Sequence, residues 1–316
     1  MLDAAATVVL VNPVAAGGRV GREWTAWKPR LEAALGPVTF RMTERTGHAR
    51  ELATHYVREG LTTVIAVGGD GTMSEVVNGI LAAEPDPGAV TLGELPAGTG
   101  GDFRRMLNHG DDVFTAAAAM AEAPATPIDV GSVSWLGDDG ATRSGWFLNI
   151  TSFGIGGLVD RYVNASSKRL GGKLSFLLAT GRASITYRPA RLALTLDGEP
   201  WGTWEVTNVQ VCNGRFAGGG MRFAPNARLS DGLFDVVVIE HAPLHVQARG
   251  MKKLYTGSHI HEPYVHVKRA AHVVAEPVTA DPAWIDIDGE APGTAPAELR
   301  VCPGAIRLLD ARPEVL

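Results

Sequence analysis

Residues 68 to 72 read Gly-Gly-Asp-Gly-Thr, three glycines with one carboxylate and one hydroxyl in five positions. Glycines at such a turn let backbone N–H groups close on an anion, and a helix starting there adds its partial positive charge. The chemistry this suits is phosphate binding. Asp70 is the exception, because a carboxylate beside phosphates repels them unless it holds a metal or accepts a proton. Two further segments carry similar residue types: Asn12-Pro13-Val14-Ala15-Ala16-Gly17-Gly18 and Pro96-Ala97-Gly98-Thr99-Gly100-Gly101-Asp102-Phe103. One Gly-Gly-Asp-Gly turn would also serve as an ordinary connection; three such turns in the first third of the chain argue for a phosphate site. None is followed by Gly-Lys-Ser/Thr, which excludes a Walker A loop, and none fits Gly-x-Gly-x-x-Gly in its proper context.

Each turn needs a strand before it and a helix after it. Val8 to Val11, Val64 to Val67 and Leu92 to Leu95 are short apolar runs that read as buried parallel strands. Leu31 to Leu35, His48 to Glu59, Met73 to Leu81 and Val113 to Ala123 read as helical, with Arg104 to Leu107 helix-like after the third turn. This alternation predicts an α/β domain whose turns gather at one edge of a parallel sheet, where ligands bind in open α/β folds. After Pro127-Ile128-Asp129-Val130-Gly131 the chain becomes β-rich. Candidate strands are Trp146 to Thr151, Arg191 to Leu196, Trp204 to Cys212, Leu233 to Glu240, Tyr264 to Val274, Trp284 to Asp288 and Leu299 to Pro303. Asp197-Gly198 and Asp288-Gly289 are hairpin signals, and Gly157 to Ile185 is a helical interruption.

The chain has 316 residues, 45% of them apolar, enough for two domains with real cores. Its net charge of -5 gives no case for nucleic acid as a partner. No apolar run approaches the length of a membrane span, and the start Met1-Leu2-Asp3 does not read as a signal peptide. Cys212 and Cys302 lack paired spacing and are expected to be reduced thiols of a cytoplasmic protein.

A second carboxylate group lies near the end of the chain. Asp286, Asp288 and Glu290 alternate, so in a continuous strand all three would share one face, with the Gly289 turn expected to break the alternation after Asp288. A charged hairpin tip would look the same. His241 with His245 and His259 with His261 have metal-like spacing, but no carboxylate or cysteine cluster joins them, and scattered histidines are the plainer reading. Between Asp160 and Arg191 stand Arg161, Lys168, Arg169, Lys173, Arg182, Arg188 and Arg191, with Asp160 the only acid and Leu170, Leu174, Phe176, Leu177 and Leu178 interleaved. Such a stretch can rest on an anionic membrane surface or be a core helix with a solvated basic edge.

Taken with Glu75 and Asn78, Thr43-Glu44-Arg45-Thr46-Gly47-His48-Ala49, Leu229-Ser230-Asp231-Gly232-Leu233-Phe234-Asp235 and Asp286-Ile287-Asp288-Gly289-Glu290, the three turns make the chain resemble the catalytic domain of diacylglycerol kinases. That domain is shared by bacterial lipid kinases and by sphingosine and ceramide kinases. The resemblance runs from about residue 7 to about residue 309, with the motifs in the family's order. It implies an α/β ATP-binding domain over 1–130, a β-sandwich lipid-substrate domain over 131–305, a return of residues 306–316 to the first domain, and an active site in the cleft between them.

The resemblance further implies an ATP-dependent kinase of a lipid alcohol, peripheral to the inner face of the membrane. Diacylglycerol is the default acceptor; ceramide, a sphingoid base or another lipid alcohol is the alternative. A kinase of a soluble acceptor, such as NAD, and a non-catalytic binder are the readings of other classes. ATP and Mg²⁺ are the expected cofactors, and a homodimer is compatible with the resemblance. The nucleotide positions carried over are Asn12, Pro13, Val14, Ala15, Ala16, Thr43, Gly68, Gly69, Asp70, Gly71, Thr72, Glu75, Gly98 and Thr99, with Glu75 orienting either the ribose or the turn. Glu290 falls where the bacterial lipid kinases place their proton acceptor, with Asp288 its helper; Asp70 is the competing base, or a ligand of the catalytic magnesium. A structural magnesium is expected on the Asp231 carboxylate and the backbone carbonyls of Arg228 and Leu233. Gly101 departs from the family pattern, which has Asn there, leaving Asp102 and backbone N–H groups to compensate.

Overall fold

The structure, a computed structural model, describes residues 2–98, 101–165 and 172–316. It divides into two compact units: 1–130 with 229–231 and 302–316, and 131–228 with 232–301.

In the first unit, β1 (Thr7–Val11), β3 (Thr63–Gly68) and β4 (Thr91–Pro96) are the three apolar runs that precede the glycine-rich turns. A fourth strand, β2 (Thr39–Met42), joins β1 at the edge, and all these pairings are parallel. Every side chain of β1 and β3 is buried, as in parallel strands covered on both faces. Val9, Val11, Ile65, Val67 and Leu95 pack on α1 (Ala15–Leu35) and α4 (Val113–Glu122). The alternate residues lie toward α2 (His48–Arg58) and α3 (Asp70–Ala82), whose Met73, Val76, Val77 and Ile80 are buried. The expected helices and strands of this unit all form, α1 and α3 longer than their apolar periodicity showed. After the third turn a short 3-10 helix (Phe103–Met106) stands where a helix-like segment was expected.

In the second unit, β5 (Ala125–Gly137), which starts in the first unit, pairs with β6 (Thr142–Phe147). The remaining strands are β7 (Ile150–Gly154), β8 (Ala190–Leu196), β9 (Glu199–Cys212), β10 (Phe234–Glu240), β11 (Val265–Ala270), β12 (His272–Pro277), β13 (Trp284–Ile287) and β14 (Glu290–Leu309). Their antiparallel pairings form a closed ring, β9–β7–β13–β14–β12–β8 and back to β9, with β10 and β11 extending from β9. The ring encloses a core that includes Phe153, Leu192, Val209, Val211, Val273, Ile285 and Leu299. The last residues of β14 belong to the first unit, where Arg307 and Leu308 pair in parallel with Thr91 and Leu92 of β4.

Several expected elements are redrawn. The run Trp146 to Thr151 is the end of β6 and the start of β7, and Tyr264 to Val274 is two strands broken at Ala271. That break has a cause: the Asp197 carboxylate accepts the N–H groups of Ala271 and His272 at 3.0 and 2.9 Å. The expected helical interruption is α5 (Ile155–Ala165) and α6 (Gly172–Thr186). A third helix, α7 (Leu244–Thr256), and the long strands β5 and β14 exceed what local patterning indicated. Both hairpin signals form as read, with Asp197, Gly198, Asp288 and Gly289 all at positive φ, the geometry of a type I′ turn.

Candidate active site

The three glycine-rich turns of the first unit are tied together by side chains. Asn12, directly after β1, donates from Nδ2 to Thr72 Oγ1 at 2.9 Å and accepts the Val14 N–H on Oδ1 at 3.1 Å. This joins the first turn to the second. The second meets the third through backbone: the Ala97 N–H donates to Gly68 O at 2.8 Å. A Cβ on Gly98 would stand 2.6 Å from the Gly69 Cα, so no side chain fits between these two turns. The first turn of α3 has no side-chain cap, which leaves its dipole facing the turn. In the first turn, Ala16, Gly17 and Gly18 are left-handed, a conformation in which successive N–H groups can converge on an anion. Thr43 is buried at the end of β2, its N–H donating to Val11 O at 2.8 Å.

Two carboxylates brace this assembly. Glu75 accepts the N–H groups of Gly47 and Ala49 at 2.8 and 3.1 Å, fastening the start of α2 to α3. Of the two roles weighed for it, the geometry is that of orienting the turn. Asp70 accepts N–H groups from Gly101 (2.9 Å), Asp102 (3.2 Å) and Phe103 (3.2 Å), anchoring the third turn at the start of the 3-10 helix. Gly101 has φ +78°. The replacement of Asn by Gly keeps a residue tolerant of the left-handed region, while the bond to Asp70 needs only the backbone. Thr99 lies outside the described residues.

Glu94 is a residue that the motifs passed over. On β4, it is 1% exposed, and neither carboxylate oxygen has a hydrogen-bond partner among the described residues. Burial pushes its carboxyl up to about 8, with the nearby Asp70 charge adding to the rise and Arg104 opposing it. A Glu inside an apolar strand is the signal that would have found it.

In the second unit, the strand alternation of Asp286, Asp288 and Glu290 ends one residue earlier than expected. β13 stops at Ile287, which pairs with Glu290 across the Asp288-Gly289 turn. Asp288 turns back to accept the N–H groups of Leu148 (2.7 Å), Asn149 (3.0 Å) and Ile150 (3.0 Å). Burial lifts its carboxyl to about 7 against the pull of these bonds. Asp286 accepts the Gly289 N–H at 2.8 Å and the Ser152 hydroxyl at 3.3 Å, and it meets Asp160 of α5, a residue the motif reading did not single out. Glu290 is exposed at the first position of β14. The three acids thus have three settings: Asp286 and Asp288 hold the hairpin, and Glu290 is presented by it.

The donors expected of a structural magnesium site are the Asp231 carboxylate and the carbonyls of Arg228 and Leu233. All are oxygens, as hard, hydrated Mg²⁺ requires. Gly232, at φ +72°, turns the chain between Asp231 and Leu233. Leu229 is held by Val315 O and the Asp129 N–H, both at 2.6 Å. Among the described residues no three His, Cys, Asp or Glu side chains gather as a metal centre. His259 is a core residue, bonded through Nε2 to Phe223 O at 3.1 Å, with burial lowering its pKa. A cavity of about 340 Å³ between α1 and β2, lined by Trp24, Lys28 and Phe40 among others, contains none of the candidate residues.

Comparison with known proteins agrees with this arrangement. Residues 6–133 match the model of the diacylglycerol kinase catalytic domain, and residues 149–310 that of the YegS C-terminal NAD kinase beta sandwich-like domain. A diacylglycerol kinase of Bacillus subtilis is 30% identical over 298 residues, covering 92% of this chain and 91% of that protein. A YegS-like protein of Chromohalobacter salexigens, described as a lipid kinase, is 32% identical over 240 residues, covering 73% and 72%. The crystal structure of a proposed diacylglycerol kinase from Bacillus anthracis superposes with a TM-score of 0.76 at 25% identity, covering 98% of both chains. The chain therefore belongs to the diacylglycerol kinase catalytic-domain family of lipid kinases, phosphotransferases with an alcohol as acceptor.

Proposed function

We propose that the protein transfers the γ-phosphoryl group of ATP to the hydroxyl of a membrane lipid, with diacylglycerol as the acceptor. The observation that carries this reading is the meeting of three glycine-rich turns at the ends of β1, β3 and β4, with backbone against backbone at Gly69 and Gly98. Backbone N–H groups and the α3 dipole would receive the phosphates there. The Thr72 hydroxyl accepts from Asn12, which leaves its own O–H as a donor toward a phosphate oxygen. Phosphoryl transfer depends on positioning and charge more than on covalent chemistry, so a rigid, pre-formed cradle is the main contribution of these residues.

The acceptor hydroxyl hardly ionises at neutral pH and needs a proton acceptor. Glu290 is assigned that role, because it alone of the three hairpin acids is exposed, at the first position of the strand that leaves the turn. Asp288 supports it by anchoring the turn to residues 148–150. Asp70 is the weaker candidate, because its carboxylate already accepts three backbone N–H groups. Mg²⁺, when bound with ATP, would neutralise developing phosphate charge; Asp231 with the Arg228 and Leu233 carbonyls would hold a separate structural ion. The decisive experiment is radiolabelled ATP with a panel of lipid alcohols in mixed micelles, and in parallel with NAD, resolved by chromatography. A labelled product from diacylglycerol well above those from ceramide and sphingoid bases is expected. A product only with NAD would replace the lipid with a soluble acceptor.

A further inference from the structure

Asp160 stands one helical turn after Gly157, and Gly157 explains why it reaches β13. A Cβ on Gly157 would lie 2.8 Å from the carbonyl carbon and oxygen of Trp284, so the helix runs directly against the strand. Its next turn then brings the Asp160 carboxyl into hydrogen-bond contact with that of Asp286. Two carboxylates cannot make such a contact; one of them must carry a proton. No cation among the described residues relieves the pair. Arg161, next on α5, forms two bonds to Asp138 at 2.9 and 3.0 Å and lies over the Trp284 ring at 4.2 Å. From the surrounding elements, β14 brings Glu290, the turn brings Asp288, and β7 and β9 bring the neutral side chains of Ser152 and Asn208. On α6, Arg182 lies over the Tyr162 ring. Burial and the adjacent carboxyl both hold the Asp160 proton on, in the same direction as the geometry.

We propose that Asp160 and Asp286 share one proton and that Asp160, through this proton, is a positioning residue for Glu290. The shared proton fixes Asp286, whose Oδ1 accepts the Gly289 N–H at 2.8 Å. Gly289 is the residue before Glu290, so the clamp sets where the proton acceptor stands. Loss of the proton at alkaline pH places two negative charges in contact, releases the clamp, and lets Glu290 drift from its place. The expected consequence is a fall in turnover on the alkaline side that originates in Asp160.

This inference rests on the reading of Glu290 as proton acceptor, and the test separates the two. The full-length protein, wild type, Asp160→Asn and Asp160→Leu, is assayed for lipid phosphorylation across pH, and each form is also examined by infrared spectroscopy with ¹³C-labelled aspartate. Asn still donates to Asp286 but has no proton to lose. For Asp160→Asn, turnover at neutral pH falls less than about threefold, and the alkaline limb moves up by at least about one pH unit. Asp160→Leu, which removes the donor, should lower kcat about tenfold with KM for ATP unchanged. The wild type should still show at pH 8, above the range in which Asp288 titrates, the carbonyl band of a protonated carboxyl group, absent in Asp160→Asn. An unmoved alkaline limb in Asp160→Asn, or no such band in the wild type, overturns the proposal; should Asp160→Leu fail to fold, these two readouts still decide. A band that behaves as expected in a protein that phosphorylates no lipid would sink the functional reading while leaving the shared proton standing.

Discussion

Asp70 and Glu290 are both acids at glycine-containing turns of this sequence, yet their surroundings give them different work. Asp70 faces three N–H donors of the third turn. Replacing it with Asn turns one acceptor oxygen into a donor that opposes them, at a cost of about 1–3 kcal/mol. Asp70→Asn is therefore expected to lower thermal stability and to weaken ATP binding in calorimetry. Glu290→Gln should instead lower lipid phosphorylation by about 10²- to 10⁴-fold with ATP affinity and stability near wild type. The ranking is inverted if Glu290→Gln retains turnover while Asp70→Asn loses it with normal ATP binding. Glu94 gives a second prediction at this scale. Its folded-state pKa is raised to about 8 from 4.5, so its contribution to stability is full below about pH 4.5 and is lost as pH rises toward 8. The slope reaches about 1.4 kcal/mol per pH unit in that window and levels off above it. Glu94→Leu should flatten this part of the stability curve in denaturant titrations at several pH values; an unchanged slope would show that the carboxyl titrates as an ordinary exposed one. Residue types and spacing made the turns and the hairpin acids legible, and Glu75 came only with the family resemblance. Asp160 and Glu94 were not, because their meaning lies in burial and in partners distant in sequence. Asp160 at least stood out as the only acid in a basic stretch.

At the scale of elements, legibility follows how local the determinants are. β1, β3 and β4 are buried on both faces and each leads into a glycine-containing turn, so their apolar runs could be read directly. β14 could not: its 20 residues include Pro292, Gly293, Pro296, Pro303 and Gly304, and it is a strand because β13, β12 and β4 pair with successive parts of it. The basic stretch after Asp160 was expected either to rest on an anionic membrane surface or to be a core helix with a solvated basic edge. Lys168, Arg169 and Leu170 lie outside the described residues, and the side chains of Lys173, Leu174, Phe176 and Leu177 are not described. What is described of α6 has two faces. Ala179 and Ala183 are buried toward Val159, while Leu178 and Ile185 are 56% and 83% exposed, with Arg182 exposed between them. Apolar side chains beside a cation on the solvent face suit a helix resting on an anionic leaflet. The expected outcome is that Ile185→Glu with Arg182→Glu weakens sedimentation with anionic vesicles. Wild-type binding should also weaken as the Debye length shrinks from about 10 Å at 0.1 M salt to about 3 Å at 1 M. Sedimentation of the double variant equal to wild type would return α6 to an ordinary surface helix.

Over the whole molecule, the chain passes between the two units four times, after residues 130, 228, 231 and 301. Nothing local in residues 306–316 announces where they belong; only the family resemblance suggested their return, and the first unit takes in residues 302–316. The structure gives the physical reason for it. Arg307 and Leu308 supply the parallel neighbour of β4, without which that strand would present an open edge. Asp310 then accepts the His109 N–H and bonds its Nδ1, both at 2.9 Å, and accepts from Asn108 at 3.3 Å. Leu309 joins the core formed by α1 and α4. The first 130 residues thus contain all three glycine-rich turns but not the strand and clamp that complete their sheet. A fragment of residues 1–130 is expected to lack a cooperative thermal transition and to bind ATP poorly, because β4, which carries the third turn, is left at an edge. The same fragment joined through a short flexible linker to residues 302–316 should regain cooperative melting and slow amide exchange in β4. If residues 1–130 alone melt cooperatively and protect β4 as well as the linked form does, the C-terminal segment is an appendage, and the nucleotide cradle owes nothing to it.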